Sequence, residues 1–355
     1  MSDATEAVKR VEEADLDGLQ DMPVEDLYAH IDELTKQRPG PLDLYRRWEQ
    51  QQWSATALDF TEDKQHWQML DPFTKDNLSQ FFAGFFVGEQ MVTDTLSPLV
   101  MGAPDEDNRL FLSTQLVDEA RHSFFFGRFF TEVLEFGDGL HSCLAEARRW
   151  TNTTPFKQVF DIDLVNVTDA VRLDPSNRAK WIEALTLYHM MVEGILALVG
   201  QRQLLQLLRD FNLLPAFRAG FTAVTRDESR HVNYGVWALQ KGVEDGFESS
   251  IRTSIDRSLA PCLRVYANPE NKIVIPRGLP DSSYDRMDPR KRWKFGIESL
   301  IKRLRVAGVD GTYLKEVEER GWTIVRESIA EYESVWKEEH PVHLWERGDL
   351  PSGVA

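Results

Sequence analysis

Cysteine is almost absent from this chain of 355 residues: Cys143 and Cys262 are the only two, isolated and far apart. That excludes a disulfide framework and a zinc-site spacing, and it fits a reducing, cytoplasmic setting. Basic residues are in short supply too, with 41 Lys+Arg against 58 Asp+Glu and a formal net charge of −17. So acidic a chain lacks the surface that meets phosphates, so no nucleic acid is expected as partner. Small molecules, metal cations or other proteins are the partners left. Long apolar runs are missing: the richest, Ile195 to Val199, is soon interrupted by Gln201 and Arg202, and no membrane span is expected. The N-terminus, Met1 to Asp21, is polar and acidic without the basic and apolar regions of a signal peptide, and residues 1–22 read as a disordered acidic leader. Alternating β-branched runs are scarce, with only Ile273 to Ile275 suggesting a short strand.

Helical periodicity is what the chain does have. A short helix is expected from Val24 to Lys36, stopping before Pro39-Gly40-Pro41. From about Pro72 the apolar residues fall mostly three or four apart in four successive stripes. The first holds Leu78, Phe81, Phe82, Phe85, Glu89, Val92 and Leu96, and the second Leu112, Leu116, Glu119, His122, Phe126 and Phe130. The third holds Ile182, Leu185, His189, Glu193, Leu196 and Gly200, and the fourth Phe217, Phe221, Val224, Glu228, His231 and Gly235. Breaks fall at Gly102-Ala103-Pro104, Phe136 to Gly139, Asp174-Pro175 and Leu214-Pro215. The expectation is one all-α domain over residues 23–355: a ferritin-like four-helix bundle, its core at about 72–243, with additional flanking helices.

Each stripe is apolar except where a Glu, with or without a His, interrupts it. A carboxylate on a core face is costly unless paired or bound to metal. Glu119 with His122, and Glu228 with His231, are Glu-x-x-His pairs, a spacing that puts both side chains on one helical face within reach of one ion. Glu89 and Glu193 are single intrusions on the other two helices. One Glu from each of two helices plus Glu-x-x-His from each of two others is the di-iron or di-manganese carboxylate pattern of ferritin-like bundles. Carboxylate and imidazole ligands suit iron and manganese.

Asp63/His66 and Asp138/His141 share the acid-x-x-His spacing but sit in a polar segment and a Gly-flanked turn, and are expected at the surface. The two pairs within apolar stripes also share a wider context, Asp118-Glu119-Ala120-Arg121-His122 against Asp227-Glu228-Ser229-Arg230-His231. Asp227 and Asp118 are candidates to receive the outer N–H of the ligand histidines. A surface ion pair with Arg121 or Arg230 is the alternative for Asp118.

The order Glu, Glu-x-x-His, Glu, Glu-x-x-His, together with Trp53-Ser54-Ala55-Thr56-Ala57-Leu58-Asp59 before the first ligand helix, resembles the small subunit of class I ribonucleotide reductase. The resemblance implies an electron path through Trp53 and Asp227, with Asp227 hydrogen-bonded to His122. Three departures from the reductase pattern stand out. Phe126 occupies the place of the radical-bearing Tyr, Ala197 and Gln201 replace bulky Phe residues, and the tail from Arg347 has no aromatic. Within the superfamily the chain is more similar to the ligand-binding oxidase group. Tyr188-His189-Met190-Met191-Val192-Glu193-Gly194-Ile195-Leu196-Ala197 matches that group's third ligand helix, and Val92 and Tyr188 match the pair it joins by an ether cross-link.

This second resemblance implies a manganese/iron cofactor, with manganese at Glu89, Glu119 and His122 and iron at Glu193, Glu228 and His231. Glu119 and a ligand carboxylate would bridge them; di-iron is the alternative. It also implies a bound long-chain fatty acid beside Ala197, Gln201 and Phe126, dioxygen as co-substrate, and a homodimer. Helix geometry supports only half of the cross-link pair. Val92 lies one turn from Glu89, whereas Tyr188, five residues from Glu193, would sit about 140° around an ideal helix. Two other functions stay open: a tyrosine-less reductase small subunit, and an acyl desaturase or hydroxylase.

Overall fold

The computed structural model describes residues 3–275 and 281–350. Four long helices carry the four stripes: Pro72–Met101, Glu106–Phe129, Arg178–Asp210 and Pro215–Glu244. The first packs on the second, the second on the fourth, the fourth on the third and the third on the first, which closes a bundle. Shorter helices precede it (Val24–Gln37, Pro41–Gln50, Thr61–Met69), fill the long connection between the second and third (Leu140–Trp150, Val165–Leu173), and follow it (Glu248–Tyr266, Pro289–Val306, Gly311–Trp336).

The helix starts are written locally. The Asp71 side chain accepts from the N–H groups of Phe73 and Thr74 with Pro72 in the first turn, Asp105 accepts from Asn108, and Asn177 from Lys180. The fourth helix is different. It starts at Pro215 after Leu214 in the left-handed region (φ 52°), with no cap of its own. Its free N–H groups are taken from a distance, by Asp63 on the helix Thr61–Met69: Ala216 and Phe217 donate to the two carboxylate oxygens at 2.9 and 2.7 Å. Asp63 is therefore fully buried, not the surface residue its polar neighbours suggest. Desolvation in that position raises its pKa to about 6, against the pull of the two N–H groups.

Phenylalanine dominates the bundle interior. Phe82, Phe125, Phe126, Phe129, Phe217 and Phe221, from three of the four helices, pack ring on ring, with Phe129 and Phe217 centroids at 4.5 Å. At about 1.5–3 kcal/mol per buried side chain of this kind, the cluster is a large share of what holds the helices in register.

Two further expectations are corrected. Residues 3–22 are not a disordered leader: Asp3–Glu13 and Leu16–Gln20 are helical, Val11 and Leu19 are fully buried, and Arg226 of the fourth helix donates to the carbonyls of Val11 and Ala14 at 3.3 and 2.7 Å. The acidic composition belongs to the outer face of an amphipathic helix whose Ala7 and Val11, one turn apart, face inward. Ile273 to Ile275 have no regular secondary structure, and no strand occurs among the described residues. The third bundle helix, mean hydropathy 1.5 over its richest window, is long and apolar enough to cross a membrane, although its longest unbroken apolar run is short. Eighty-nine per cent of that window is buried inside the bundle, as a core helix requires.

Candidate metal centre

The bundle brings all six predicted ligand side chains to one place. Glu89, Glu119, His122 and Glu228 present ligand atoms within 4.8 Å of one another, and so do Glu119, Glu193, Glu228 and His231. His122 Nδ1 lies 3.2 Å from Glu89, 3.5 Å from Glu119 and 3.8 Å from Glu228. His231 Nδ1 lies 3.3 Å from Glu119, 3.6 Å from Glu193 and 3.5 Å from Glu228. Both Glu119 and Glu228 reach the two quartets, so the protein itself supplies two candidate bridging carboxylates, where the resemblance implies one.

The outer nitrogens are held crosswise. His122 of the second helix meets Asp227 of the fourth, Nε2 to Oδ2 3.1 Å, and His231 of the fourth meets Asp118 of the second, also 3.1 Å. Each Asp precedes a ligand Glu in its own helix while orienting the histidine of the other. An N–H donated outward leaves the Nδ1 lone pair aimed inward, as a metal ligand needs. Arg230 ties the two acids together, donating to Asp118 at 2.9 Å and Asp227 at 2.6 Å, and Arg121 pairs with both from the other side. The repeated Asp-Glu-x-Arg-His segments thus use four of their five residues on one interlocked network. Tryptophan closes each arm: Trp53 Nε1 donates to Asp227 at 2.8 Å and Trp48 Nε1 to Asp118 at 2.9 Å.

Trp48 was not anticipated, and neither was Gln115, whose amide donates to Glu193 at 2.8 Å and whose carbonyl meets His189 Nε2 at 3.0 Å. Both were within reach of the sequence: Trp48 by symmetry with Trp53, Gln115 as a polar residue one turn before Glu119 on the core face.

Residues Thr186–Ala197 form a π-helix, and this explains Tyr188. In an i→i+5 ladder, residues five apart share a face, so Tyr188 and Glu193 both point at the centre, against the 140° separation of an ideal helix. The Tyr188 hydroxyl donates to the Val92 carbonyl at 3.2 Å and lies 3.5 Å from Glu119 Oε1. Three side chains from outside hold carbonyls along and just after the widened turn: Arg303 on Gly194 at 2.6 Å, Tyr266 on Leu196 and Tyr28 on Leu198. Gly194 is required for this approach, because a Cβ there would stand 2.9 Å from the His189 carbonyl oxygen and 3.2 Å from Arg303 Nη1.

A cavity of about 350 Å³ opens onto the cage, lined at that end by Glu89, Val92, Glu193, Ala197 and Glu228. Two expected lining residues are elsewhere. Phe126 is enclosed in the phenylalanine cluster with Phe85, which does line the cavity, stacked over it at 6.2 Å. Gln201 is buried about 100° around the helix from Gly200, and Gly200 and Gln203 form the wall instead.

Divalent metals fit this donor set. Glu119 Oε2, Glu193 Oε2, Glu228 Oε2 and His231 Nδ1 are buried with no hydrogen-bond partner, each costing about 1–3 kcal/mol if left so. Four carboxylates balance two divalent cations. Without metal, protons take their place: burial, with Glu119 and Glu228 adding repulsion, raises Glu89 to about 8, and burial with the charge of Glu228 raises Glu193 well above its ordinary value. Burial opposes ionisation of Glu119 as well, but the His122 and His231 imidazoles beside it outweigh burial and hold this carboxyl low.

The ribonucleotide reductase small chain family model matches residues 35–259. The chain belongs to that family. Its members are oxidoreductases. Among solved structures, a variant R2-like ligand-binding oxidase with an anaerobically reconstituted Mn/Fe cofactor is similar over 75% of this chain and 92% of that one, at 21% identity and a TM-score of 0.63. An R2-like ligand-binding oxidase from Sulfolobus acidocaldarius is similar over 75% of this chain and 89% of that one, at 24% identity and a TM-score of 0.61. These likenesses establish the all-α, ferritin-like fold of the family.

Metal loading must displace the protons on Glu89, Glu193 and the two histidines. Groups whose pKa is raised hold protons through neutral pH, so metal affinity rises as pH rises through neutrality and falls on acidification. Calorimetric titration of the metal-free protein in buffers of different ionisation enthalpy should record proton release; buffer-independent heats would contradict this.

Proposed function

We propose that the chain is a dinuclear carboxylate oxidase that activates dioxygen for two-electron oxidation of an apolar ligand. The cofactor in this reading is Mn/Fe, with Glu89, Glu119 and His122 holding one metal and Glu193, Glu228 and His231 the other. The observation that carries it is the cavity whose inner end is formed by three cage carboxylates together with Val92 and Ala197. A purely storage or radical-generating centre has no need of such a space.

When bound, the metals supply the redox capacity to reduce dioxygen and to take an electron pair from an unactivated C–H bond. The protein's own part is positional. Asp227 and Asp118 fix the tautomers of His122 and His231, the phenylalanine cluster excludes water, and the cavity aligns an apolar substrate against Val92. Burial, then the charges of Glu119 and Glu193, keep the proton on the Tyr188 hydroxyl. That hydroxyl stands beside Val92, which supports the cross-link: a Val92 Cβ–H and the Tyr188 O–H are lost, a C–O bond forms, and two protons and two electrons pass to dioxygen.

A homodimer belongs to this proposal, supported by Leu110, Val117 and Phe124, exposed seven residues apart on the second bundle helix. The buried, unpaired Cys143 and Cys262 suit a cytoplasmic setting. A second reading, delivery of an oxidising equivalent to a separate reductase chain, draws support from the Trp53–Asp227–His122 chain of hydrogen bonds.

After aerobic loading with manganese and iron, intact-mass spectrometry should give a mass two hydrogens below the sequence, and Val92→Ala and Tyr188→Phe should each abolish the deficit. An unchanged mass in the loaded protein removes the cross-link, and nucleotide reduction on mixing with a large reductase chain selects the second reading. Val117→Lys is expected to give monomers in analytical ultracentrifugation; a dimer that survives it would place the interface elsewhere.

A further inference from the structure

The two arms that hold the ligand histidines are built alike at the cage and differently at their outer ends. Each runs from an imidazole through an aspartate to an indole: His122–Asp227–Trp53 in one, His231–Asp118–Trp48 in the other. Trp53 is buried. Among the described residues, the aromatic and cationic groups against its ring, besides His122, are Phe125 at 6.0 Å and the Arg121 guanidinium at 5.1 Å. Neither a phenyl ring nor a guanidinium gives up an electron to an oxidised indole, so this arm ends inside the protein.

The Trp48 arm continues outward. Trp48 lies on the helix Pro41–Gln50 and is only partly buried, and the ring of Tyr45 stands against it, centroids 5.9 Å apart and tilted by 38°. Tyr45 itself is partly open to solvent. Glu49, exposed one turn further along, sets its charge beside the phenol and raises the Tyr45 pKa. Apart from thiols, indole and phenol are the side chains most readily oxidised by one electron. A phenol that loses an electron also loses its proton, and Glu49 is placed to receive it. The reaction proposed above needs such a route. Reducing dioxygen to two waters takes four electrons and four protons. A ligand oxidised by two electrons supplies half of each, and the rest comes from outside the cage.

We propose that Trp48 and Tyr45 form a relay that carries oxidising equivalents from the His231 side of the cage to the surface, where a soluble one-electron reductant quenches them. An electron leaves Trp48 for the centre across the Asp118–His231 hydrogen bonds, 2.9 and 3.1 Å long. Tyr45 refills the indole and passes its hydroxyl proton to Glu49. The reductant then returns one electron to Tyr45, and the proton comes back from Glu49. Two passages deliver the two missing electrons, and the two protons that complete the waters come from solvent. The inference rests on the dioxygen chemistry proposed above and adds the route by which its remaining electrons arrive.

The test uses the whole chain carrying Tyr188→Phe, in which the Val92 cross-link cannot form and, with no substrate added, oxidising equivalents have to leave the cage. Protein loaded anaerobically with Mn(II) and Fe(II) is mixed with oxygenated buffer. Oxygen uptake is recorded, and freeze-quench electron paramagnetic resonance follows radicals, with ring-deuterated tyrosine separating phenoxyl from indolyl signals. The expected result is a tyrosyl radical that ascorbate, as the reductant, removes. Adding Tyr45→Phe should abolish that radical and leave an indolyl signal in its place, whereas adding Trp48→Phe should abolish both. Tyr45→Trp, which restores an oxidisable ring, should restore quenching by ascorbate; a merely structural role for Tyr45 predicts no such rescue. Metal content and oxygen uptake report that each variant is folded, and if Trp48→Phe fails to load, the Tyr45 variants decide alone. A tyrosyl radical that survives Tyr45→Phe, or one lost only in Trp53→Phe, overturns the relay. Oxygen uptake with no radical on either ring overturns it too and leaves the oxidase reading standing. No oxygen uptake in any of these proteins removes the oxidase reading and the relay together.

Discussion

Four carboxylates and two imidazoles converge in the interior of a helix bundle, and the surrounding structure follows from what that burial costs. Desolvated carboxylates this close repel one another, and without cations some of them must hold protons. Several of the oxygens, and one imidazole nitrogen, receive or make no hydrogen bond within the protein. Metal binding and the integrity of the core are therefore linked: the cations that complete the site also neutralise the charge that the phenylalanine layer would otherwise have to bury unpaired.

The network around the cage keeps that arrangement single-valued. Because Asp118 and Asp227 each orient the histidine of the opposite helix, the second and fourth helices cannot slide past one another without breaking both arms at once. Arg230, fully enclosed, supplies the charge that two buried aspartates need. The third helix is fixed by different means. Its π-helical stretch presents carbonyls to Arg303 and Tyr266, with Tyr28 holding Leu198 just after it, and this widened turn sets Tyr188 beside Val92 as well as Glu193 in the cage.

How much of this was legible follows from the range of each interaction. The six ligands could be read because the cost of a carboxylate on an apolar stripe is a local, periodic signal, and the repeated Asp-Glu-x-Arg-His segments carried their own outer partners. The helix boundaries at Pro72, Pro215 and Gly102 were legible for the same reason. Tyr188 was not legible from spacing alone, because the π-helix depends on donors 70 residues and more away in the chain. Asp63 looked like a surface acid since the helix end it caps is built by residues 215–217. The N-terminal helix was missed because its composition is dominated by the face that meets water, while Val11 and Leu19 do the packing. Phe126 and Gln201, assigned to the pocket by resemblance, lie behind Phe85 and around the helix from Gly200 respectively.

The cavity joins these parts into one account, since it brings an apolar passage directly against the carboxylates that require metal. Whether two metals of different kinds occupy those carboxylates is the claim on which the functional reading depends. Crystals of aerobically loaded protein measured at the manganese and iron absorption edges test it most directly. The account predicts two anomalous peaks, manganese within reach of Glu89, Glu119 and His122 and iron within reach of Glu193, Glu228 and His231. A single peak, or two peaks lying outside these quartets, would contradict it.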